Sequence, residues 1–514
     1  MDSWVDRACR LRREHGAELT LAAIVAVAAI VRFATLGDQS LDHDETVTAA
    51  RVLHPSFLAS MQVVVNGERS PPLYYALIWV WSRVWGTGAV DLRSLSAILG
   101  TLTVVAAYLA GRELASRRAG LIAAALVALN PYLIWYSQEA RSYAALVAFG
   151  AFALYFFARS LRRPTGRALA GWAAMSALAL CSHYFAVFPI LGEGAILLAS
   201  SARRRGALPA SLAVAAVGIA LLPLAVIQES GGRGNGFTQI PVAQRAETAV
   251  VKYVGTEGPA PQAGILSTTP GQREAAVFGV ALFAVAIVLV AARGSPTERR
   301  GALRAGAVAA SVFGLPLALA WGGFDFIDPR NMIGALVPAL VVAGIGFGTV
   351  RARRAGGLAF AGSLVLFVVV LRFVDTNPAT ERHDWRAVAA VIPHGPKPTL
   401  YVVPHDARTP LDYYTGRNLD KFEPARFPDG VATRHVVVLS DYPAISGPGP
   451  AFHLVDTRTA PQHWTVKIYA AREPVAVAPT QVAGTKVMVQ RSTALVAQPH
   501  SLLRAEAAVD TGHA

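Results

Sequence analysis

Charge is scarce in this sequence. Of 514 residues only 16% are charged, against 54% hydrophobic. Soluble domains carry about a quarter charged residues, so the composition points away from a soluble globule and toward a membrane protein. Cysteine is nearly absent. Cys9 stands before the first apolar run and Cys181 within a later one, which excludes a disulfide framework. No GxxxxGK[ST] and no GxGxxG after a strand occurs, which disfavours a nucleotide donor. HExxH and paired-Cys spacings are also missing. His43, Asp44, Glu45 and His54 come nearest to a metal set, and they leave room only for a loosely held divalent cation at Asp44. No cofactor is otherwise expected.

The net charge is +14. In a soluble chain this would suggest nucleic acid. Here the excess lies in short arginine clusters between apolar runs, the pattern of cytoplasmic loops, so no nucleic-acid partner is expected. The first apolar run, 18–36, follows Arg7, Arg10, Arg12 and Arg13. It is too long for a signal-peptide core and is expected to stay as a membrane helix behind a cytoplasmic segment, 1–17. Ten further runs are near span length: 94–111, 119–136, 143–160, 168–185, 186–200, 207–226, 274–292, 303–321, 331–349 and 355–373. The expected fold is therefore a multi-spanning α-helical protein of the cell membrane with about 11 transmembrane helices.

Five arginine clusters set the orientation. They begin at Arg112, Arg159, Arg203, Arg293 and Arg351. With all five in the cytoplasm, "PPLYYALIWVWSRVW" (71–85) cannot cross once. It is also short, near 22 Å at 1.5 Å per residue, and its aromatics suit an interfacial or re-entrant helix. Residues 37–93 then form one external loop. The tail 375–514 lies outside as well, with β-rich runs "PTLYVV", "RHVVVLS", "WTVKIYA" and "TKVMVQ" between turn residues. It reads as a small external α/β or mainly β domain, frayed over 495–514. The helical domain is 18–374.

The polar groups at the outer surface are few. They are "HDE" (43–45) with Arg51, Glu68, Arg69 and Arg93 in the first loop, "YSQEARSY" (136–143), "SHY" (182–184), Gln228 with Glu229, and "GFDFIDPRN" (323–331). Ionisable groups at helix ends are costly unless paired or facing a wet cavity, so they are functional candidates. Asp44 or Glu45 could act as a general base. Arg141 and Arg330 could clamp a lipid phosphate. Plain structural uses exist too: Asp44 could end a helix, Arg141 could snorkel, Asp328-Pro329 could turn the chain, and His183 could pack at the interface.

In this order the motifs "HDE", "SPPLYY" (70–75), "YSQEARSY", "SHY" and "DPRN" resemble the polyprenyl-phosphate-dependent glycosyltransferases of the GT-C fold. The chain is most similar to the bacterial branch of the protein O-mannosyltransferase-like superfamily, glycosyltransferase family 39, over about residues 20–375. The resemblance implies an external active site and a sugar carried on polyprenyl phosphate. It implies Asp44 as catalytic base beside Glu45, and Arg141 with Arg330 at the donor phosphate. His43, Tyr74, Tyr75, Gln138, Glu139, Tyr143, His183, Tyr184 and Asp328 follow as substrate-binding candidates. The chain departs from the family pattern at Ser70, where histidine is usual, and at Asn331, where tyrosine is usual. It also lacks the β-trefoil of eukaryotic protein mannosyltransferases. Mannose leads as the sugar, with inversion, onto a glycan, lipid or protein acceptor. Transfer of arabinose or another pentose to a glycan or lipid is the alternative. A lipid or solute transporter is the alternative of another class, but it predicts inverted repeats and midplane charge.

Overall fold

A computed structural model of the chain describes residues 4–52, 54–200, 204–230, 241–255, 271–377, 381–393, 399–404, 407–416, 419–421, 426–440, 448–462, 464–479 and 492–497. The chain divides into two units. One comprises Met1–Asp38, Arg51–Gly258 and Thr268–Thr380; the other comprises Gln39–Ala50, Pro259–Ser267 and Glu381–Ala514.

The helices follow in chain order as α1 (Trp4–Phe33), α2 (His43–Val52), α3 (Phe57–Gly67), α4 (Leu73–Trp85), α5 (Ala89–Leu114), α6 (Arg117–Leu129), α7 (Pro131–Ser137), α8 (Tyr143–Arg162) and α9 (Gly166–Ser182). Next come α10 (Val187–Ala199), α11 (Arg204–Ser230), α12 (Val242–Val254), α13 (Gln272–Arg293), α14 (Pro296–Trp321), α15 (Leu336–Gly348) and α16 (Arg353–Thr376). Local sequence sets several starts. Ser116 and Thr165 accept the backbone N–H of Ala119 and Ala168, each at 3.2 Å. Ser295 and Glu298 close a capping box on α14, the S-x-x-E signature of a helix start.

Every apolar run named above lies on a helix, yet the count of about eleven spans is not confirmed. Among the described residues eight helices are long and apolar enough to cross a membrane, or nine if α6 and α7, bent by 61°, form one broken span. The difference is length: α9 has 17 residues and α10 only 13. The 13 residues of α4 span about 20 Å, and it is not among the eight. The segment 37–93 is largely helical, carrying α2, α3 and α4. Close approach in the bundle depends on small residues, as membrane helix packing requires. A Cβ on Gly120 would collide with the Tyr108 carbonyl, and one on Gly344 would meet Ala119 and Ala123.

The second unit adds α17 (Trp385–Val391), α18 (Arg408–Thr415) and strands β1 (Thr399–Pro404), β2 (Leu419–Lys421), β3 (Val431–Ser440), β4 (His453–Thr459), β5 (Thr465–Val477) and β6 (Ser492–Ala497). They form one sheet in the order β2-β6-β1-β3-β5-β4. β1 runs parallel to β3, with Tyr401 opposite Val437, and antiparallel to β6. Alternation sorts the side chains. Tyr401, Val403, Val437 and Leu439 share a core with Trp385, Val388 and Leu411 of α17 and α18, whereas Leu400, Val402, Val436 and Val438 face the other side. The tail is thus a mixed α/β unit. The expected fraying over 495–514 is wrong at its start: Leu495–Ala497 belong to β6, and Leu495 is buried where it pairs with Tyr401. The remainder, like "TKVMVQ", lies outside the described residues. Strand β4 is exposed along its whole length, so it carries no apolar alternation for sequence reasoning to find.

The bend between α6 and α7 has a definite cause. Pro131 lacks the N–H that would bond Val127, and Asn130 caps α7 by accepting Leu133 N–H at 3.0 Å. The carbonyls so released are taken by a charge. Arg32, fully buried on α1, donates to Val127 O (3.2 Å), Ala128 O (2.9 Å), Ala28 O (3.2 Å) and Ser137 Oγ (3.2 Å). In a membrane such groups must be satisfied internally. Replacing Arg32 with Ala should leave the Val127 and Ala128 carbonyls without these donors, at about 1–3 kcal/mol each. The expected readout is a clearly lower melting temperature in detergent; an unchanged melt would refute this account.

Candidate functional site

The helical unit gathers its polar groups around one carboxylate. Glu68 follows the last residue of α3 in extended backbone. Its Oε1 accepts from Arg141 Nη1 at 3.0 Å and its Oε2 from Arg141 Nη2 at 3.4 Å. The Arg51 guanidinium also pairs with Oε1, and donates to the Gly67 carbonyl at 2.9 Å. All three side chains are nearly buried, 6% exposed for Glu68 and 12% for Arg141. One carboxylate thus pairs with two guanidiniums at a dry position, where low dielectric strengthens charge interactions. Arg141 sits in the short turn between α7 and α8, whose backbone is closed by Arg141 N–H to Glu139 O at 2.8 Å.

Tyrosines surround this cluster. Tyr75 on α4 is fully buried, and its hydroxyl has no hydrogen-bond partner among the described residues. Burial pushes its phenol pKa up, opposed by the charges of Arg141 and Arg51. Its neighbour Tyr74 shares a hydrogen bond with Ser96 Oγ at 3.1 Å. A chain of ring contacts runs from Tyr253 to Tyr132 (5.1 Å), Tyr136 (4.9 Å), Tyr143 (4.8 Å), His183 (5.3 Å) and Phe185 (5.4 Å). His183 is buried and its Nδ1 accepts Phe185 N–H at 3.3 Å. It therefore caps the short helix after α9 as well as packing in the ring chain.

The remaining candidates of this unit divide by task. Gln138 donates to Thr35 Oγ1 at 2.7 Å and to the Val31 and Arg32 carbonyls, so its amide holds the end of α1. Glu139 is buried beside it. Tyr184 donates to Gln228 Oε1 at 2.9 Å, and Gln228 in turn reaches Val64 O and Ser70 O. Asp328 caps the turn at Pro329 by accepting Arg330 N–H at 3.0 Å, and pairs with Arg330 Nε at 3.4 Å. Arg330 is one third exposed. Sequence reasoning passed over Arg245 altogether. On α12 it binds both oxygens of Asp325 and the Ile327 carbonyl, the last at 2.7 Å. Sequence reasoning placed Glu68 and Arg51 among the outer-surface candidates without a specific role, and the structure pairs them with each other and Glu68 with Arg141.

His43, Asp44 and Glu45 belong to the second unit. They form the first turn of α2, where negative charge favours the helix dipole. Glu45 is fully buried and its Oε2 accepts Asp42 N–H at 3.1 Å. Asp44 and His43 are half-buried. The adjacent carboxylates thus differ: Glu45 closes the helix start, and Asp44 keeps access to solvent. Among the described residues no three His, Cys, Asp or Glu side chains gather to hold a metal.

The Arg245 hydrogen bonds hold the Asp325 carboxyl below the ordinary range, against a small opposing effect of burial. Its folded pKa lies under the unfolded value of about 3.9. The pair therefore stabilises the fold above about pH 4 and loses that contribution as pH falls through the folded pKa. Melting temperature in detergent should drop more steeply below about pH 4 for wild type than for Asp325→Asn.

Residues 69–227 match the family model described as dolichyl-phosphate-mannose-protein mannosyltransferase. A comparison with curated proteins finds no match. Among solved structures, ArnT from Cupriavidus metallidurans in the apo state is similar, with a TM-score of 0.57 and 13% identity over 88% of this chain and 98% of that one. The same protein bound to undecaprenyl phosphate has a TM-score of 0.54 and 13% identity, covering 87% of this chain and 97% of that one. At such identity the likeness is one of fold. The chain therefore has the GT-C fold, and its residues 69–227 are similar in sequence to the dolichyl-phosphate-mannose-protein mannosyltransferases.

Proposed function

We propose that this protein is a membrane glycosyltransferase that moves a sugar, mannose first, from a polyprenyl-phosphate donor to a glycan, lipid or protein acceptor. The observation that carries the reading is Arg141, held by Glu68 within the segment that matches the mannosyltransferase family. A nearly buried guanidinium, held in place by a carboxylate, suits bidentate binding of a lipid phosphate monoester or diester. The undecaprenyl phosphate bound by ArnT, a protein of like fold, supports the same donor class.

In this reading Asp44 takes the proton of the acceptor hydroxyl. The oxygen attacks the anomeric carbon as the bond to the phosphate oxygen breaks, which inverts the centre. Arg141 and Arg330 stabilise the phosphate that leaves, and Glu45 supports Asp44 by holding the start of α2. Tyr74, Tyr75, Tyr143, His183, Tyr184, Glu139 and Asp328 shape the sugar and lipid surroundings. The arginine clusters support a cytoplasmic N-terminus, a helical domain over 18–374 and an external domain over 375–514. Pentose transfer remains the second choice of donor.

The test is donor consumption. Wild type and Asp44→Asn in detergent receive polyprenyl-phosphate mannose, then the arabinose and glucose forms, with a crude membrane acceptor. Release of polyprenyl phosphate from one donor is expected with wild type, and a loss of about 100-fold or more with Asp44→Asn. Repeating the assay with a chelator decides whether a divalent cation at Asp44 takes part. No release from any donor by folded wild type would overturn the reading.

A further inference from the structure

The backbone that leads into Asp44 has no regular structure of its own. Residues 40–42 belong to neither helix nor strand, so no ladder sets their path. Side chains set it instead, and they come from the far end of the chain. Ser40 Oγ donates to His383 O at 2.9 Å and accepts Trp385 N–H at 3.0 Å. Leu41 N–H donates to Tyr414 Oη at 2.6 Å. Gln39 Oε1 accepts Arg382 N–H at 3.5 Å. All these residues lie in the second unit. Past Leu41, Asp42 opens α2: its carbonyl accepts Thr46 N–H at 2.8 Å and its N–H meets Glu45.

The connector 382–385 is itself clamped. Gln462, in the turn between β4 and β5, donates from Nε2 to Arg382 O at 2.8 Å and accepts Asp384 N–H on Oε1 at 3.0 Å. Gln462 has φ of +60°, and among the described residues no other non-glycine residue has a positive φ. A side chain in that conformation persists where its surroundings over-determine it. Asp384 caps α17 through Ala387 N–H at 3.1 Å. The rings of His383, Trp385 and Trp464 pack mutually at 5.1–5.8 Å. A continuous set of bonds therefore runs from the β4–β5 turn through the connector to Ser40, and ends three residues before His43.

We propose that the C-terminal domain sets the place of Asp44 through Gln462, Ser40 and Tyr414, which act as positioning residues for sugar transfer. The proposal rests on the reading of Asp44 as the base. A general base must sit within hydrogen-bond reach of the proton it removes, and a displacement of 1 Å costs about 100-fold in rate. The irregular segment that leads into α2 needs such an anchor, and the connector 382–385, α18 and the β4–β5 turn supply it. On this account the domain serves the chemistry directly, whatever else it recognises.

The experiment pairs kinetics with amide hydrogen exchange on the full-length protein in detergent. The variants are Ser40→Ala, Tyr414→Phe and Gln462→Gly, with Ser40→Thr as the conservative rescue. Gln462→Gly keeps the positive φ and removes only the amide. Each is expected to lower kcat about tenfold or more while the donor KM stays within about twofold of wild type. Amides of residues 41–46 should exchange about tenfold faster, and Ser40→Thr should restore both. Unchanged exchange in all three variants would overturn the proposal, and so would faster exchange with an unaltered kcat. If wild type consumes no donor, the transferase reading fails instead, and the exchange data alone decide whether the anchor exists. A variant that melts early is set aside for the other two.

Discussion

The helical unit depends on how one buried arginine answers one proline. Pro131 opens the backbone between α6 and α7, and the Arg32 guanidinium occupies the carbonyls that the break exposes. The bend of 61° follows. It turns α7 so that Tyr132 and Tyr136 enter the ring chain and the turn after Ser137 begins with Gln138 fastened to the end of α1. Arg141 stands three residues further on. A charge inside a membrane helix is ordinarily a liability, but here three backbone carbonyls and Ser137 Oγ accept from it, two of the carbonyls supplied by the broken helix.

The second constraint is electrostatic. Glu68 receives two guanidiniums, Arg51 and Arg141. Removing a partner from a buried ion pair costs more than the pair itself contributes, because the remaining charge stays desolvated. The cluster is therefore stable only as a set. Tyr75 adds a buried hydroxyl beside it. This combination gives physical content to the match with a family that handles a lipid-linked sugar phosphate.

The candidate residues do not all belong to one unit. The acidic turn at 43–45 is part of the α/β unit, whereas the arginines and tyrosines belong to the helical one. Glu45 and Asp44, adjacent in sequence, have distinct surroundings: full burial with a backbone partner for one, partial exposure for the other. That difference separates a helix-start carboxylate from the residue proposed to take a proton.

Much of this was legible in the sequence. Low charge, long apolar runs and arginine clusters determined a multi-spanning membrane protein, because hydrophobic length and charge bias act locally. The motif "YSQEARSY" held Arg141, which pairs with Glu68, for the same reason: it is a short stretch at a helix end. Short β-branched apolar runs announced β1 and β3, which are buried on both faces, and alternation announced β5. Strand β4 stayed hidden because it is exposed, and β6 because it stands in a tail of ordinary composition. Only the tertiary structure decided that Gln138 holds α1, that Asp328 caps a turn, and that Arg245 grips Asp325. It also decided that Ser40 and Leu41 are held by residues more than 340 positions away. Those facts depend on distance in space, which no local pattern encodes, since a hydrogen bond needs two groups within about 3 Å and the chain brings them there only by folding.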